Sequence, residues 1–460
     1  MCPAASHLPR RESRMRGRLT RTATAIPLAT LLLVTAGCAP SEKPGESVEG
    51  AEVTVWLQNG GTFEATQAYL EDWSANNPDG IQVKITAHAS DSYAETLQLA
   101  LRTGKGPDVF ESPGPDKLND AGYLLQLKEW LSAETQEAFG EVLVGPNPVA
   151  TADDFYAIPL STNTIRLAYN KDLFTEAGLD PEAPPSTLGE VKEACAAIAD
   201  TTDAYCYGLP LKWTAWANWQ ADPIVQNTDA DLSHPAAFNR ATERFEFDRF
   251  VPVVEFYREL AQKEWLYPGA TSLDNDTMRA AFANGEIAMF VSAAWDVATV
   301  NDNYASTIDW AAAPVPVPDG EQSVRAIMNI GKPYSVNADA GNTAAAVKVL
   351  EAIAGPDLQE ELAQAGSTFP LRLDTAASID IESMVKPYED YVIADGDVQR
   401  QTSPVQSLEL QGETYDQVIA RLVIGNDDIA SALKEAEDRY NAAWKSAVDS
   451  GLVDPTQFVY

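Results

Sequence analysis

The segment Tyr156–Leu179 reads YAIPLSTNTIRLAYNKDLFTEAGL. Ala157–Leu160 closes one run of chain with a proline at Pro159, after which Ile165, Leu167 and Tyr169 alternate as one face of a fresh strand would. Asn170, Lys171 and Asp172 then supply turn chemistry and a helix N-cap. Leu173, Phe174 and Ala177 follow at helical spacing, and Gly178 ends the helix. The pattern describes a crossover in which the chain leaves one compact unit and begins a second. A strand-to-helix unit of this kind also occurs inside ordinary α/β domains, so the division rests on the rest of the chain as well.

At 460 residues the chain is too long for one ordinary core and suits two domains. With 45% hydrophobic and 22% charged residues its composition is that of a folded globular protein. The charge balance is strongly acidic, at −36. Six arginines and Glu12 precede Cys38, so the chain from Cys38 onward carries 26 basic against 67 acidic residues, a net −41. Such a surface disfavours nucleic acid as a partner and is otherwise that of a well-solvated protein.

The first 37 residues read as a targeting signal. A basic run to Arg21 precedes the apolar ATAIPLATLLLV, which is too short to span a bilayer, and TAGC follows. This resembles a lipoprotein signal, in which Cys38 receives lipid and becomes the new N-terminus, although Thr35 stands where leucine is usual. Met15 begins a more typical signal than Met1. Residues 38–50, small and polar with proline and glycine, read as a flexible tether. Beyond Cys38 only Cys195 and Cys206 remain, and an even pair in an exported chain is expected to form a disulfide closing a short loop after a helix.

Glu52–Leu57 predicts a first strand, followed by the loop Gln58–Thr62 and an amphipathic helix over Phe63–Asn76. Ile81–Ala87 alternates as a second strand, Ser90–Arg102 predicts a second helix, and Pro107–Phe110 enters a third strand. A βαβαβ beginning implies a parallel sheet covered by helices. Ligands bind beyond the carboxyl ends of such strands, which selects Gln58 and Asn59, Glu111 and Ser112, and Asn163 near the crossover. Each could equally be a loop residue satisfying its own turn.

Further on, Leu188–Ala199 predicts a helix and Tyr207–Leu211 a strand. Trp213, Trp216 and Trp219 then lie three apart, forming one stripe on a helix. The stripe fits a packed core, and it also fits a flat wall on which the C–H faces of a sugar stack; in that case Trp213 and Trp216 are the expected contacts. Phe250–Lys263 is amphipathic, and FANGEIAMFVSAAWD at Phe282–Asp296 carries a helix end and a strand over Ile287–Val291. Arg325–Val336 reads as a second strand pair at the crossover. Helices are expected over Ala340–Ala354, Pro356–Gly366, Glu413–Leu422 and Asp428–Val448.

Four segments together carry a resemblance: YNKDLF with AGL, the run SYAETLQLALRTGKGPDVFES, FANGEIAMF with a tryptophan soon after, and STFPLR at Ser367–Arg372. In their order and spacing along the chain these segments resemble those of extracellular solute-binding proteins of the maltose-binding type, over nearly all of the chain from Glu52 onward. The resemblance implies an α/β, two-lobed periplasmic-binding-protein fold of type II, each lobe a mostly parallel sheet flanked by helices, joined by a hinge. Lobe 1 would take residues 51–158 and 327–355, and lobe 2 residues 159–326 and 356–460, with crossings near Pro159, Asn329 and Gly355. The family's stacking tryptophan corresponds to Trp295. Asp296, Asn329, Gly331 and Arg372 join the expected ligand contacts.

What the resemblance implies is a monomeric, lipid-anchored component of an ABC importer, held on the outer face of the cytoplasmic membrane and delivering a carbohydrate to permease subunits. A polyamine, peptide or glycerol phosphodiester is the alternative solute. A secreted glycosidase is the alternative from another class, since carboxylates and tryptophans line those sites too. No spacing singles out a carboxylate pair, no GxSxG elbow occurs, and beyond the signal only His88 and His234 remain, without metal-ligand spacing. Neither catalysis, a cofactor nor a metal is expected.

Overall fold

A computed structural model describes residues 47–458 apart from 60–61, 90–91, 144–148, 152, 214, 324–326, 367, 381–385, 393–396 and 402. Cys38 and the first part of the tether lie outside the described residues. The tether's last residues belong to the folded body: Gly50 donates its N–H to Asp79, and the Ser47 carbonyl accepts from the Asn342 side chain. Ser47–Gly50 are therefore part of the fold rather than of the expected tether.

The described strands are β1 (Glu52–Gln58), β2 (Gln82–His88), β3 (Val109–Glu111), β4 (Ile158–Asn170), β5 (Tyr205–Tyr207), β6 (Phe238–Asn239), β7 (Arg244–Phe245), β8 (Ile287–Ala293), β9 (Trp310–Pro314), β10 (Ile327–Val336), β11 (Phe369–Pro370) and β12 (Val398–Gln399). All but the small β6–β7 pair join in the order β2-β1-β3-β10-β4-β8-β5, with β9 and β11 on β4 and β12 on β10. β1 runs parallel to both β2 and β3, with helices Phe63–Asn76 and Tyr93–Arg102 in the connections, as the βαβαβ reading requires. At the other end β5 runs parallel to β8. The antiparallel pairings come from the two long central strands, β4 and β10.

β4 is where the chain passes from one sheet to the other. Residues 158–164 pair with β10, and residues 165–170 pair with β8 and β9, so the partner changes between Thr164 and Ile165. The sequence suggested a break at Pro159 and a new strand after it, but the strand is continuous. A proline inside a strand lacks a donor, and here Pro159 lies opposite Pro333 of β10, so no N–H on either side of that rung is left wanting. The helix after β4 is capped as read: the Asn170 side chain accepts from Leu173 N–H at 3.0 Å, and Gly178 at φ +73° ends the turn.

Buried side chains fall into sets on either side of this switch. Val53, Val55 and Leu57 of β1 pack with Leu70, Ile158, Val336, Val349 and Leu350. The opposite face of the same sheet carries Phe110 against Tyr93, Leu97 and Tyr156. Beyond the switch, Ile165, Leu167 and Tyr169 pack with Ile198, Phe256, Val418 and Tyr440. Phe290 and Ala168 face Phe282, Val297 and Tyr391. Helices Tyr415–Ile424 and Ile429–Asp449 pack into the second of these units, as their apolar faces predict.

The third passage of the chain is later than expected. Leu358 and Leu362 of the helix Pro356–Gln364 pack into the first unit with Ile353 and Ala354, whereas Phe369 and Tyr388 stack at 4.2 Å within the second. Gly355 therefore marks only a break between two helices of one unit, and residues 356–364 do not belong with lobe 2. Pro356 at the first turn of a new helix explains the misleading signal. Cys195 of the helix Leu188–Thr201 and Cys206 of β5 form the expected disulfide, with sulfurs 2.00 Å apart. Among the described residues no helix is long and apolar enough to cross a membrane.

Candidate functional site

The registers show which sheet edges face one another. β3 pairs Val109 with Val336 and Glu111 with Tyr334, and β10 continues along β4 toward the Thr164–Ile165 switch, so the carboxyl end of β3 points at the switch. β8 pairs Met289 with Tyr169 and Ala293 with Ile165, so its carboxyl end points at the switch from the other side. β9 does the same, with Trp310 opposite Asn170 and Pro314 opposite Arg166. The loops that leave these strands converge on a cleft bridged by β4 and β10, the position at which open α/β sheets bind ligands.

From the first sheet, Gln58 donates from Nε2 to Glu111 Oε2 at 2.9 Å, and Tyr334 O–H donates to Glu111 Oε1 at 3.0 Å. Glu111 and Ser112 are buried, and Ser112 donates its N–H to the Pro333 carbonyl at 2.7 Å. The structure brings these residues together at the carboxyl ends of β1 and β3. Asn59 is exposed, and its N–H donates to the His88 carbonyl, extending the β1–β2 ladder by one bond.

In the bridging strands Asn163 lies opposite Asn329 and Ser161 opposite Gly331. Asn163 is 3% exposed, and its Oδ1 has no partner among the described residues. A Cβ at Gly331 would stand 2.9 Å from Ser161 Oγ and 3.0 Å from Asn163 Nδ2, so glycine is what lets the two strands approach here.

The second unit supplies an aromatic wall. β5 and β8 are parallel, so the chain after Tyr207 and the chain after Ala293 emerge at one edge. Trp213 and Trp219 come from the first and Trp295 from the second, and all three are half-buried. Trp213 stacks on Trp219 at 6.2 Å and 21°, and Trp219 meets Trp295 edge-on at 4.8 Å and 75°. The segments that hold Trp219 and follow Trp295, Ala217–Ala221 and Thr299–Asn303, are π-type turns, a geometry often found where a helix is bent to serve a site.

Three expected contacts take structural roles instead. Trp216 is 2% exposed and belongs to the core of the second unit. The even spacing of three tryptophans assumed one regular α-helix; Trp213 lies in a bend before the helical segment and the π-type turn Ala217–Ala221 follows Trp216, so the three rings do not form one stripe. Asp296 is buried: its Oδ1 stands 2.5 Å from Arg279 Nε, and its Oδ2 accepts the Ala293 N–H at 3.0 Å, which fixes the end of β8. Arg372 is buried and clamped by Asp374, through Nε at 2.9 Å and Nη2 at 3.0 Å.

One charged contact was invisible in the sequence. Arg400 is 6% exposed and lies over the Trp219 ring, 5.6 Å from its centroid. Its Nε and Nη2 donate to Gln226 Oε1 at 3.2 and 2.8 Å, and Nη1 has no partner among the described residues. Asp222, fully buried, accepts from Ala236 N–H at 3.1 Å and Tyr415 O–H at 2.9 Å. Burial pushes its carboxyl up to about 6, opposed by Arg400, and burial lowers the Arg400 guanidinium to about 10, opposed by Asp222. Nothing in the polar run DGDVQRQTSP distinguishes a buried arginine from a solvated one.

Two half-sheets bridged by antiparallel strands, with a cleft between their carboxyl edges, define a two-lobed solute-binding fold. The cyclic α-maltosyl-1,6-maltose binding protein of Arthrobacter globiformis has the same fold, with a TM-score of 0.64 at 22% identity over 86% of this chain and 99% of that one. The chain belongs to the family described as bacterial extracellular solute-binding protein, which it matches over residues 59–360. An sn-glycerol-3-phosphate-binding periplasmic protein of Agrobacterium fabrum is 28% identical over 36% of this chain and 39% of its own length. A maltooligosaccharide ABC transporter solute-binding lipoprotein of Streptococcus pneumoniae is 27% identical over 40% of this chain and 45% of its own. The matched region thus spans less than half of each of these two relatives.

Proposed function

We propose that this protein is the extracellular substrate-binding component of an ABC importer and that it captures a carbohydrate, an oligosaccharide in size, between two lobes that close about β4 and β10. The observation that carries the reading is the half-buried wall of Trp213, Trp219 and Trp295 at the edge facing the bridging strands. Aromatic faces suit the C–H surfaces of sugar rings, and the Asn163 Oδ1 on β4, unpartnered among the described residues, offers a polar atom to a hydroxyl group. A maltooligosaccharide-binding relative and a solved structure described as binding a cyclic maltosyl-maltose support the same solute class. The test is a thermal-shift screen over neutral mono- and oligosaccharides. A ligand at a hundred times its Kd stabilises by about 2.7 kcal/mol, and a screen in which no carbohydrate raises the melting temperature defeats the reading.

The lipid anchor belongs to the same proposal. Cys38→Ala is expected to release the protein from the membrane or to block its processing, and unchanged membrane association in that variant counts against lipidation at Cys38. We also read the protein as a monomer that binds and delivers its solute without chemical change; incubation with the bound sugar should yield no new reducing ends.

The second reading, a glycerol phosphate or phosphodiester, is favoured by one observation, the buried cation at Arg400 beside the tryptophans, together with the Agrobacterium relative.

A further inference from the structure

The tryptophans of the wall stand on short, irregular turns, and one helix braces two of them. The helix Asn275–Ala283 begins at Asp274, whose side chain caps it by accepting the Thr277 N–H at 2.9 Å. Asp274 also pairs with Lys212 at 3.3 Å, and the Lys212 N–H donates to the Leu273 carbonyl at 3.2 Å, so the start of the helix is joined to the residue next to Trp213. One turn further on, Arg279 reaches the residue next to Trp295. Its Nε lies 2.5 Å from Asp296 Oδ1, while its Nη1 is held at 3.2 Å by Asp276 Oδ1 of the same helix. Asp296 is 2% exposed, and its Oδ2 accepts the Ala293 N–H at 3.0 Å from the last residue of β8. The Trp295 carbonyl accepts from the Thr299 hydroxyl at 3.0 Å. The four-residue turn Trp295–Ala298 is too short to hold a direction by its own hydrogen bonds. The Asp296 carboxylate supplies one, tying the end of β8 and the bracing helix together around Trp295.

Resting on the carbohydrate reading above and on Trp295 as part of its wall, we propose that Asp296 and Arg279 are positioning residues for solute binding: acting through Trp295, their pair sets the direction in which that ring leaves β8 and hence its place beside Trp219. The two links of the brace differ in weight. Lys212 and Asp274 are both exposed, and an exposed pair contributes little. Asp296 is buried, and removing one partner of a buried pair leaves the other uncompensated, so the turn that carries Trp295 must shift to relieve it. The Arg279 link is therefore the one whose loss is felt at the ring.

The experiment is a double-mutant cycle read by calorimetry on the chain from Cys38, with whichever of maltotriose, xylotriose and raffinose gives the largest thermal shift. Asp296→Asn keeps the shape of the side chain and removes its charge. It is expected to weaken binding at least about fivefold in the wild-type background and less than about twofold in the Trp295→Ala background, where the ring it positions is gone. A residue that merely supports the fold would weaken both backgrounds alike. The same fold-loss in both, or wild-type affinity in a folded Asp296→Asn protein while Trp295→Ala is weakened, overturns the proposal and leaves the carbohydrate reading intact. Should Asp296→Asn fail to fold, Arg279→Gln goes through the same cycle under the same criteria. Unchanged affinity in Trp295→Ala defeats the wall, and binding of none of the three sugars defeats the carbohydrate reading; each takes the proposal with it.

Discussion

Trp295→Ala separates a binding wall from a core most sharply. The ring is half-buried and edge-on to Trp219 at 4.8 Å. A tryptophan offers about 200 Å² of buriable area, and the roughly two-thirds of it already covered, at about 25 cal/mol per Å², is worth about 3 kcal/mol in the free protein. The remainder, about a third at most, becomes buried when a sugar is enclosed, so up to about 2 kcal/mol falls on binding, a loss of roughly tenfold or a little more in Kd. Trp216→Ala supplies the comparison. That side chain is 2% exposed and inside the core, and its truncation should cost about 3 to 5 kcal/mol of stability with little change in the affinity of the folded fraction. Calorimetry with the best sugar from the screen, paired with chemical denaturation of each variant, reads both quantities. If Trp295→Ala binds as tightly as wild type and loses as much stability as Trp216→Ala, Trp295 is a core residue and the cleft has been drawn in the wrong place.

Gly331→Ala forces a methyl group to within 2.9 Å of Ser161 Oγ and should cost about 1 to 3 kcal/mol, part of which Ser161→Ala restores; denaturant midpoints that do not move in either variant would mean that the bridging strands are looser than described. Replacing both Cys195 and Cys206 with serine opens a link between residues 11 apart and should lower unfolding free energy by about 2 to 3 kcal/mol, with no further effect of reductant on the variant. Asp222 has a folded-state value of about 6 against an ordinary 3.8, so the stability it contributes is present below about pH 4 and is lost as pH rises through about 6. Relative to Asp222→Asn, wild-type unfolding free energy should therefore fall by about 2 to 3 kcal/mol between pH 4 and 7, and a difference that stays flat over this window would show that the Asp222 carboxyl titrates in the folded protein as it does in the unfolded chain.

Periodicity made much of the fold legible. Alternation in β1 and β2, the cap at Asn170 and the helix over Leu188–Thr201 are local signals, and local physics decides them. The passages between units were harder. Pro159 resembles a strand break because a proline removes a donor, and only the facing Pro333, 174 positions away along the chain, makes that loss harmless. Gly355-Pro356 resembles a boundary, yet both flanking helices pack on one core. The site divides in the same way. The placement of Gln58, Glu111 and Trp295 at the carboxyl ends of strands follows from the sequence, whereas the burial of Trp216 and the partial exposure of Trp219 depend on a break in helical regularity that a three-residue spacing does not reveal. Asp296 and Arg372 look like ligand contacts in sequence because they are charged and near strand or loop ends, but each is consumed by a neighbour, Arg279 and Asp374 respectively.

The central claim is that a carbohydrate is enclosed between lobes that move about β4 and β10. Small-angle scattering of the protein from Cys38 onward, with and without a saturating neutral oligosaccharide identified by the screen, tests it directly. The account predicts a smaller radius of gyration in the bound state, with the change abolished at the same sugar concentration by Trp295→Ala. A sugar that binds tightly while the scattering of free and bound protein superimposes would contradict it.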